Sequence, residues 1–151
     1  MKKILSAIVF FSLIFLFSVN AFATDADWTG GDPANADWSD ADNWSAVPVP
    51  GTADTATFNA AAGAGGAVIN LFGGLTVKSV TFDTLNAVAY TIGSGGAGAQ
   101  TLIVDDAGTI TVSGDVVTAQ TIAANLVLLG DYALTNNAAD SSVRRMNLRH
   151  Y

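Results

Sequence analysis

The N-terminal part of the chain concentrates the carboxylates that could bind a metal ion. Six of the 13 Asp residues lie between positions 25 and 42, and the chain contains no Glu. Ca²⁺ takes about six to eight oxygen ligands, which neighbouring carboxylates can supply. Asp40 and Asp42 are the Ca²⁺ candidates, because residues i and i+2 of an extended chain share a face. The alternative is that these Asp side chains accept backbone N–H groups in turns, and the turn-rich composition favours that interpretation.

Two known calcium-loop patterns are only partly present. The segment that starts at Asp25 begins like an EF-hand loop, but its closing position is Ala36 instead of Glu. The glycine-rich stretch 95–102 resembles one calcium-binding nonapeptide, but Gln100 replaces the carboxylate and the unit does not repeat. We therefore predict no cofactor, with Ca²⁺ as the one candidate to consider.

Residues suited to hydrolysis or elimination are scarce. His150 is the only His and Cys is absent, so Ser–His–Asp and Cys–His sites lack a base or a nucleophile. Asp105 and Asp106 are adjacent, and a strand would point them to opposite faces instead of towards one sugar. A lyase needs a basic residue, and Lys78 alternates with apolar neighbours as a solvent-facing strand residue does. The sequence predicts no catalytic residue and a protein that is not an enzyme.

Three Trp residues, Trp28, Trp38 and Trp44, lie in one segment with similar Asp- and Asn-containing neighbours. Exposed indoles could stack on sugars and form a carbohydrate-binding surface. The alternative is that they fill the open end of a repeat structure, where the first coil would otherwise expose its apolar core. Because the segment directly precedes the repetitive part of the chain, its position favours a cap.

Beyond Gly51, short β-branched runs alternate with Gly, Asp and Asn. Apolar and polar residues alternate in runs such as Val80-Thr81-Phe82, which places one set of side chains on a single strand face. Short strands at this spacing, without Asn-Gly or Asp-Gly hairpin turns, predict an all-β fold. We expect a right-handed parallel β-helix, with a β-sandwich as the alternative. The residues expected to face inward are Val80, Tyr90, Leu102, Ile110, Ile122, Leu126 and Tyr132.

Four segments of different composition divide the chain. Lys2 and Lys3 precede the apolar stretch Ile4–Phe17 and a small-residue cleavage site that ends at Ala23, which predicts an exported protein. No stretch reaches the ~20 apolar residues of a spanning helix, so we expect no transmembrane segment after cleavage. The predicted segments are a signal peptide over residues 1–23, a cap over 24–50, a β-solenoid over 51–143 and a basic tail over 144–151.

The basic tail contrasts with an acidic body. Between Thr24 and Val143 the only basic residue is Lys78, and the formal net charge of the chain is −7. This excess of negative charge disfavours nucleic acid as a partner, because phosphate binding needs Lys and Arg. We interpret residues 144–151, with three Arg and His150, as a truncation or frameshift scar, and alternatively as a tail that binds an anionic surface. A solenoid cut open would expose strand edges, so we expect self-association.

The stretch Trp38-Ser-Asp-Ala-Asp-Asn-Trp44, with Val47-Pro-Val-Pro-Gly-Thr-Ala-Asp54 after it, resembles the N-terminal motif of autotransporter-type passenger proteins. Related exported repeat proteins, some with a PEP-CTERM sorting tail, have similar starts. Residues 75–82 and 90–93 resemble autotransporter-associated β-strand repeats. The resemblance implies a parallel β-helix passenger displayed at or beyond the outer membrane, without a common enzymatic activity. The translocating barrel and sorting tail of the family are not found in this sequence.

These observations together predict a non-catalytic exported surface or passenger segment that serves surface display, including adhesion. Surface glycans or the surface of a host or neighbouring cell are the expected partners. The expected location is the periplasm, the outer-membrane surface or the extracellular space. Two alternatives stay open: a carbohydrate-binding module that uses the three Trp residues, and a polysaccharide lyase or hydrolase built on a β-helix.

Overall fold

The chain forms a stack of short β-strands connected by turns and loops. The structure is a computed structural model that describes residues 23–61 and 63–138. Most of the predicted signal peptide, the last residues of the predicted solenoid and the basic tail lie outside the described residues. The strands are β1 (Ala26–Asp27), β2 (Thr55–Phe58), β3 (Val68–Ile69), β4 (Gly74–Phe82), β5 (Thr91–Ile92), β6 (Thr101–Val112), β7 (Thr121–Ile122), β8 (Asn125–Leu128) and β9 (Tyr132–Asn136).

These strands build two parallel sheets. The larger sheet has the order β1-β2-β4-β6-β8, with β9 pairing the second half of β6, and the smaller sheet has the order β3-β5-β7. Every pairing between these strands is parallel. The chain thus winds into a β-solenoid of about three turns. The expected parallel β-helix is confirmed, and the sandwich alternative is wrong because no two of these strands form an antiparallel hairpin.

The coils stack in a fixed register that buries one column of side chains above another. One such column runs through five strand segments at spacings of 30, 24, 30 and 24 residues. It consists of Ala26, Ala56, Val80, Ile110 and Leu134. The first four of these side chains are buried, and Leu134 packs against them. Because side chains alternate between the two faces of a strand, the residues directly before and after each column residue in its own strand point outward. The period-two pattern in the sequence therefore corresponds to the inside and outside of the solenoid.

Most of the residues predicted to face inward do so. Five of the seven are buried, and Ile122 is half-buried. Tyr132 was expected inside but is 46 % exposed. It pairs with Gly108, at the corner where β6 bends before its last inward-facing residues. The prediction of an inward-facing Tyr132 is therefore wrong, because the inward positions of β9 begin at Leu134, after the corner.

Helical structure is minimal. Within residues 23–61 and 63–138, the helical element is the 3-10 turn Ala41–Asn43. No helix in this part of the chain has the length and apolar character needed to span a membrane.

Candidate functional site

The three Trp side chains form one aromatic cluster against β2. The ring centroids of Trp28 and Trp44 are 5.1 Å apart, and those of Trp38 and Trp44 are 4.8 Å apart, both in edge-to-face geometry. All three rings lie 5.9 to 6.0 Å from the ring of Phe58. Their exposed fractions are 1 %, 1 % and 6 % for Trp28, Trp38 and Trp44. A sugar platform needs an exposed ring face, so this burial supports the cap and argues against the carbohydrate site.

Hydrogen bonds fix two of these indoles in place. Nε1 of Trp38 donates to the carbonyl of Pro50 at 3.0 Å, and Nε1 of Trp44 donates to the carbonyl of Trp38 at 2.7 Å. Buried indole N–H groups usually find an acceptor, because leaving one unpaired costs free energy. The loop that carries the Trp residues is therefore attached to the end of the core by directional bonds as well as by apolar contact.

The cap also covers the backbone edge of β1. Trp28 and Trp44 form an antiparallel bridge. The N–H of Ser45 donates to the carbonyl of Asp27 at 2.9 Å, and the N–H of Asp27 donates to Oγ of Ser45 at 2.8 Å. These bonds use the backbone groups that an edge strand would otherwise present to another chain. The N-terminal end of the solenoid is thus closed both at its core and along its edge.

The carboxylate of Asp40 has a turn-capping role. Its Oδ1 accepts the N–H of Asp42 at 3.0 Å, and its Oδ2 accepts Nδ2 of Asn35 at 3.3 Å. The hydrogen bond from the Asp42 backbone, followed by the one from Asn35, lowers the pKa of Asp40 below its ordinary value. No group of three or more His, Cys, Asp or Glu side chains in the described part of the chain is arranged to hold a metal ion. Ca²⁺ binding by Asp40 and Asp42 stays a prediction.

Asn43 holds the cap loop together from inside. It is fully buried, its Oδ1 accepts the N–H of Asp32 at 3.0 Å, and its Nδ2 donates to the carbonyl of Asp37 at 3.1 Å. A buried amide of this kind is favourable only when its polar atoms are paired. Sequence reasoning missed this residue, although its place between Asp42 and Trp44 in the resemblance motif was a usable signal.

A second group that the sequence did not reveal is a ladder of amide side chains along one corner. Nδ2 of Asn70 donates to Oδ1 of Asp37 at 2.8 Å, and Nε2 of Gln100 donates to Oδ1 of Asn70. Oε1 of Gln100 accepts two backbone N–H groups, those of Leu71 and Ser94, each at 2.9 Å. This corner ladder of Asp37, Asn70 and Gln100 joins three successive coils.

Lys78 and its neighbours have structural partners at another corner. The ammonium of Lys78 donates to the main-chain carbonyl of Asp106. Oδ1 of Asp106 accepts the N–H of Asp131 at 2.9 Å, and Oδ1 of Asp105 accepts the N–H of Asp106 at 2.8 Å. This is the position where the pairing of β4 with β6 shifts register, between Val77 and Ser79. Each of these side chains hydrogen bonds to a backbone group of the corner.

The C-terminal side of the larger sheet differs from the N-terminal side. Both β8 and β9 pair with β6 on one side, and no other strand among the described residues pairs with them on the other side. Neither strand contains a charged residue. Val127 is 36 % exposed, and Leu129 and Tyr132 are also exposed. We call β8 and β9 together the open edge.

Comparisons with known proteins give no further guide. No protein-family model, no curated protein and no solved structure matches this chain. The fold and the arrangement of its side chains are therefore the basis for any proposal about function.

Proposed function

We propose that this protein is a non-catalytic, exported β-solenoid segment that displays its outer surface, as the passenger of an autotransporter-type protein does. The observation that carries this proposal is the stack itself: parallel coils of 24 or 30 residues rise from an end closed by three buried Trp residues. In such a stack each coil contacts only its neighbours, so outward side chains are free to serve recognition.

The roles of the acidic residues support a display function over a catalytic one. Oδ2 of Asp54 accepts the N–H of Gly51 at 2.7 Å, which closes the turn before β2. Asp40 caps the 3-10 turn, and Asp106 holds the corner beside Asp131. Carboxylates that accept backbone N–H groups in this way stabilise turns. Surface glycans or a neighbouring cell surface would then be bound by outward side chains of the coils.

Export is the part of the proposal that can be tested first. The full chain with a C-terminal reporter would be produced in a Gram-negative host, and the N-terminal residue of the product would be sequenced. We expect cleavage after Ala23 and a mature product outside the cytoplasm, because the n-region, apolar stretch and small-residue site are all present. An uncleaved cytoplasmic product would contradict export and with it surface display.

The display role itself is tested by binding and turnover together. The mature product would be assayed for adherence to cells and glycan arrays, and for release of sugars from acidic polysaccharides. We expect adherence without turnover, and adherence that persists in Trp44→Phe, which keeps an aromatic plug. Turnover that is lost on Lys78→Met would instead establish an enzyme.

A further inference from the structure

One straight stretch of the solenoid carries a hydroxyl group on its outer side in successive coils. Thr57, Thr81, Thr111 and Thr135 are paired one above the other in continuous register. Two residues earlier along the same strands lies a second column, composed of Thr55, Ser79, Thr109 and Ala133. We call the six Thr residues of these two columns the threonine face.

The side chains of the threonine face point away from the core. In β2 the Thr residues are half-buried while Ala56 and Phe58 between them are buried, and the same alternation recurs in Thr109–Val112 of β6. No hydroxyl of the threonine face hydrogen bonds to another residue of the described chain. Ser79 differs, since its Oγ accepts the N–H of Thr109 at 3.1 Å. The six Thr hydroxyls are therefore free to meet a ligand.

The register makes this face a two-dimensional grid. Neighbouring strands lie about 4.7–4.9 Å apart, and residues i and i+2 of a parallel strand are roughly 6.6 Å apart. Thr is β-branched and stiff at χ1, so stacked Thr residues in the same backbone environment repeat one orientation. The pairing is unbroken from Ser79 to Phe82 and across to β9, because the register shift lies before Ser79. A rigid grid of hydroxyl and methyl groups results.

The threonine face is also free of charge on an otherwise acidic chain. None of the eight positions in its two columns is ionisable, and three carboxylates lie at its border: Asp25, which accepts the N–H of Thr55, Asp27, which is paired beside Thr57, and Asp83, two residues after Thr81. An uncharged grid does not attract an ionic polymer. Sugar rings are usually held by exposed aromatic faces, and neither column contains an aromatic residue. The geometry suits a neutral, crystalline ligand with matching repeats.

We propose that the threonine face binds ice. Along one axis the prism face of ice repeats its oxygen atoms at a distance close to the spacing between neighbouring strands. The Thr hydroxyls of one column can therefore occupy successive lattice positions while the methyl groups fill the spaces between them. Each single hydroxyl binds weakly, and the rigid repetition over four strands supplies the affinity, since stiff Thr side chains lose little freedom on binding. This inference does not depend on the proposed display function.

The test is the growth of ice crystals in the presence of the full chain. Ice recrystallisation in an annealed frozen solution and the freezing hysteresis of a single crystal would both be measured. We expect the chain to keep crystals small, and Thr81→Tyr and Thr111→Tyr to abolish the effect because a large side chain lifts the grid off the crystal. Thr91→Tyr is the matched control, since Thr91 lies in β5 of the other sheet and should retain activity.

A variant that gains ice activity complements the Tyr variants, because a gain of activity cannot result from misfolding. Ala133→Thr extends the second column to the last strand, and we expect it to lower the concentration needed to keep crystals small. Circular dichroism would confirm that each variant retains its strands. A chain without effect on ice, equal activity of Thr81→Tyr and Thr91→Tyr, or an unchanged Ala133→Thr would each overturn the proposal.

Discussion

The two ends of the solenoid differ in how the core and the strand edge are covered. At the N-terminal end, indoles fill the core opening and Ser45 occupies the outer backbone groups of Asp27. At the other end, the open edge of β8 and β9 has neither a charged residue nor a covering strand among the described residues. Strand edges without charges or covering segments readily pair with other chains. The comparison leads us to expect that the cap contributes mainly to stability and that the open edge is where another chain would pair.

The largest effect is expected at the capped end. Trp38→Ala should lower the free energy of unfolding by about 3–5 kcal/mol, because it removes a buried aromatic side chain and leaves a cavity. It also leaves the carbonyl of Pro50 without its donor. Tyr132→Ala at the open edge is the control, and as an exposed substitution it should change stability by less than about 0.5 kcal/mol. Urea unfolding followed by circular dichroism measures both.

Equal losses in these two variants would contradict the contrast between the ends. If Trp38→Ala left the midpoint of unfolding unchanged, the Trp cluster would not be part of the cooperative core. Trp38→Phe keeps most of the apolar volume but loses the indole N–H, so it should lie between the wild type and Trp38→Ala.

The next effect concerns association through the open edge. We expect the mature chain to self-associate, and Val127→Lys to shift it towards monomer, because an outward-facing Lys on an edge strand opposes pairing. Leu85→Lys is the matched control: Leu85 is 65 % exposed but lies in the loop after β4. Sedimentation velocity over a range of concentrations measures the distribution of species.

A monodisperse monomer of the wild-type chain at high concentration would contradict this prediction. So would an equal decrease of association in Val127→Lys and Leu85→Lys, since that would indicate general apolar stickiness instead of strand pairing at one edge.

A smaller effect is expected at the corner ladder, which joins the capped end to the following coils. Gln100→Leu should destabilise the chain by about 1–3 kcal/mol, because the backbone N–H groups of Leu71 and Ser94 lose their shared acceptor. Asn125 in β8 is the comparison residue: its Nδ2 donates one hydrogen bond, to the carbonyl of Gly98 at 3.0 Å. Asn125→Leu should therefore cost less in the same unfolding measurement, and the opposite order would contradict the role of the ladder.

The corner ladder also shows why the sequence predicted the coils but not their connections. The inward positions Val80, Leu102 and Ile110 repeat a local period-two pattern that can be read within a few residues. The partners Asn70 and Gln100 are separated by 30 residues. A single amide in a glycine-rich turn carries no local sign of such a partner, because coil lengths of 24 and 30 residues must be known before the two can be aligned.

The candidate sites divide in the same way: a part that depends on a local pattern was predictable, and a part that depends on the register between coils was not. The cap was predictable, since three indoles before a run of short strands have few other places to be buried. The threonine face was not, because each Thr belongs to an ordinary alternating strand. Only the register between β2, β4, β6 and β9 reveals that Thr57, Thr81, Thr111 and Thr135 form one column.

The smallest effect is expected for a substitution of Tyr90, which lies in the layer of core directly beneath the cap. Tyr90 contacts the ring of Phe58, with centroids 5.0 Å apart, and its hydroxyl donates to the carbonyl of Ala60 at 2.9 Å. Burial raises the pKa of Tyr90 to about 12, above the value of about 10 for an unfolded chain. A raised pKa means that folding favours the protonated form, so this contribution to stability is complete below about pH 10 and is lost as pH rises towards 12.

Tyr90→Phe should cost about 0.5–1.5 kcal/mol at neutral pH through the lost hydrogen bond, and the stability of this variant should fall less steeply between about pH 10 and 12. Thermal unfolding of the wild type and of Tyr90→Phe between about pH 10 and 12 measures this difference. If the stability of both proteins fell equally with pH, ionisation of the Tyr90 hydroxyl would not be coupled to unfolding, and the layer below the cap would be open to water.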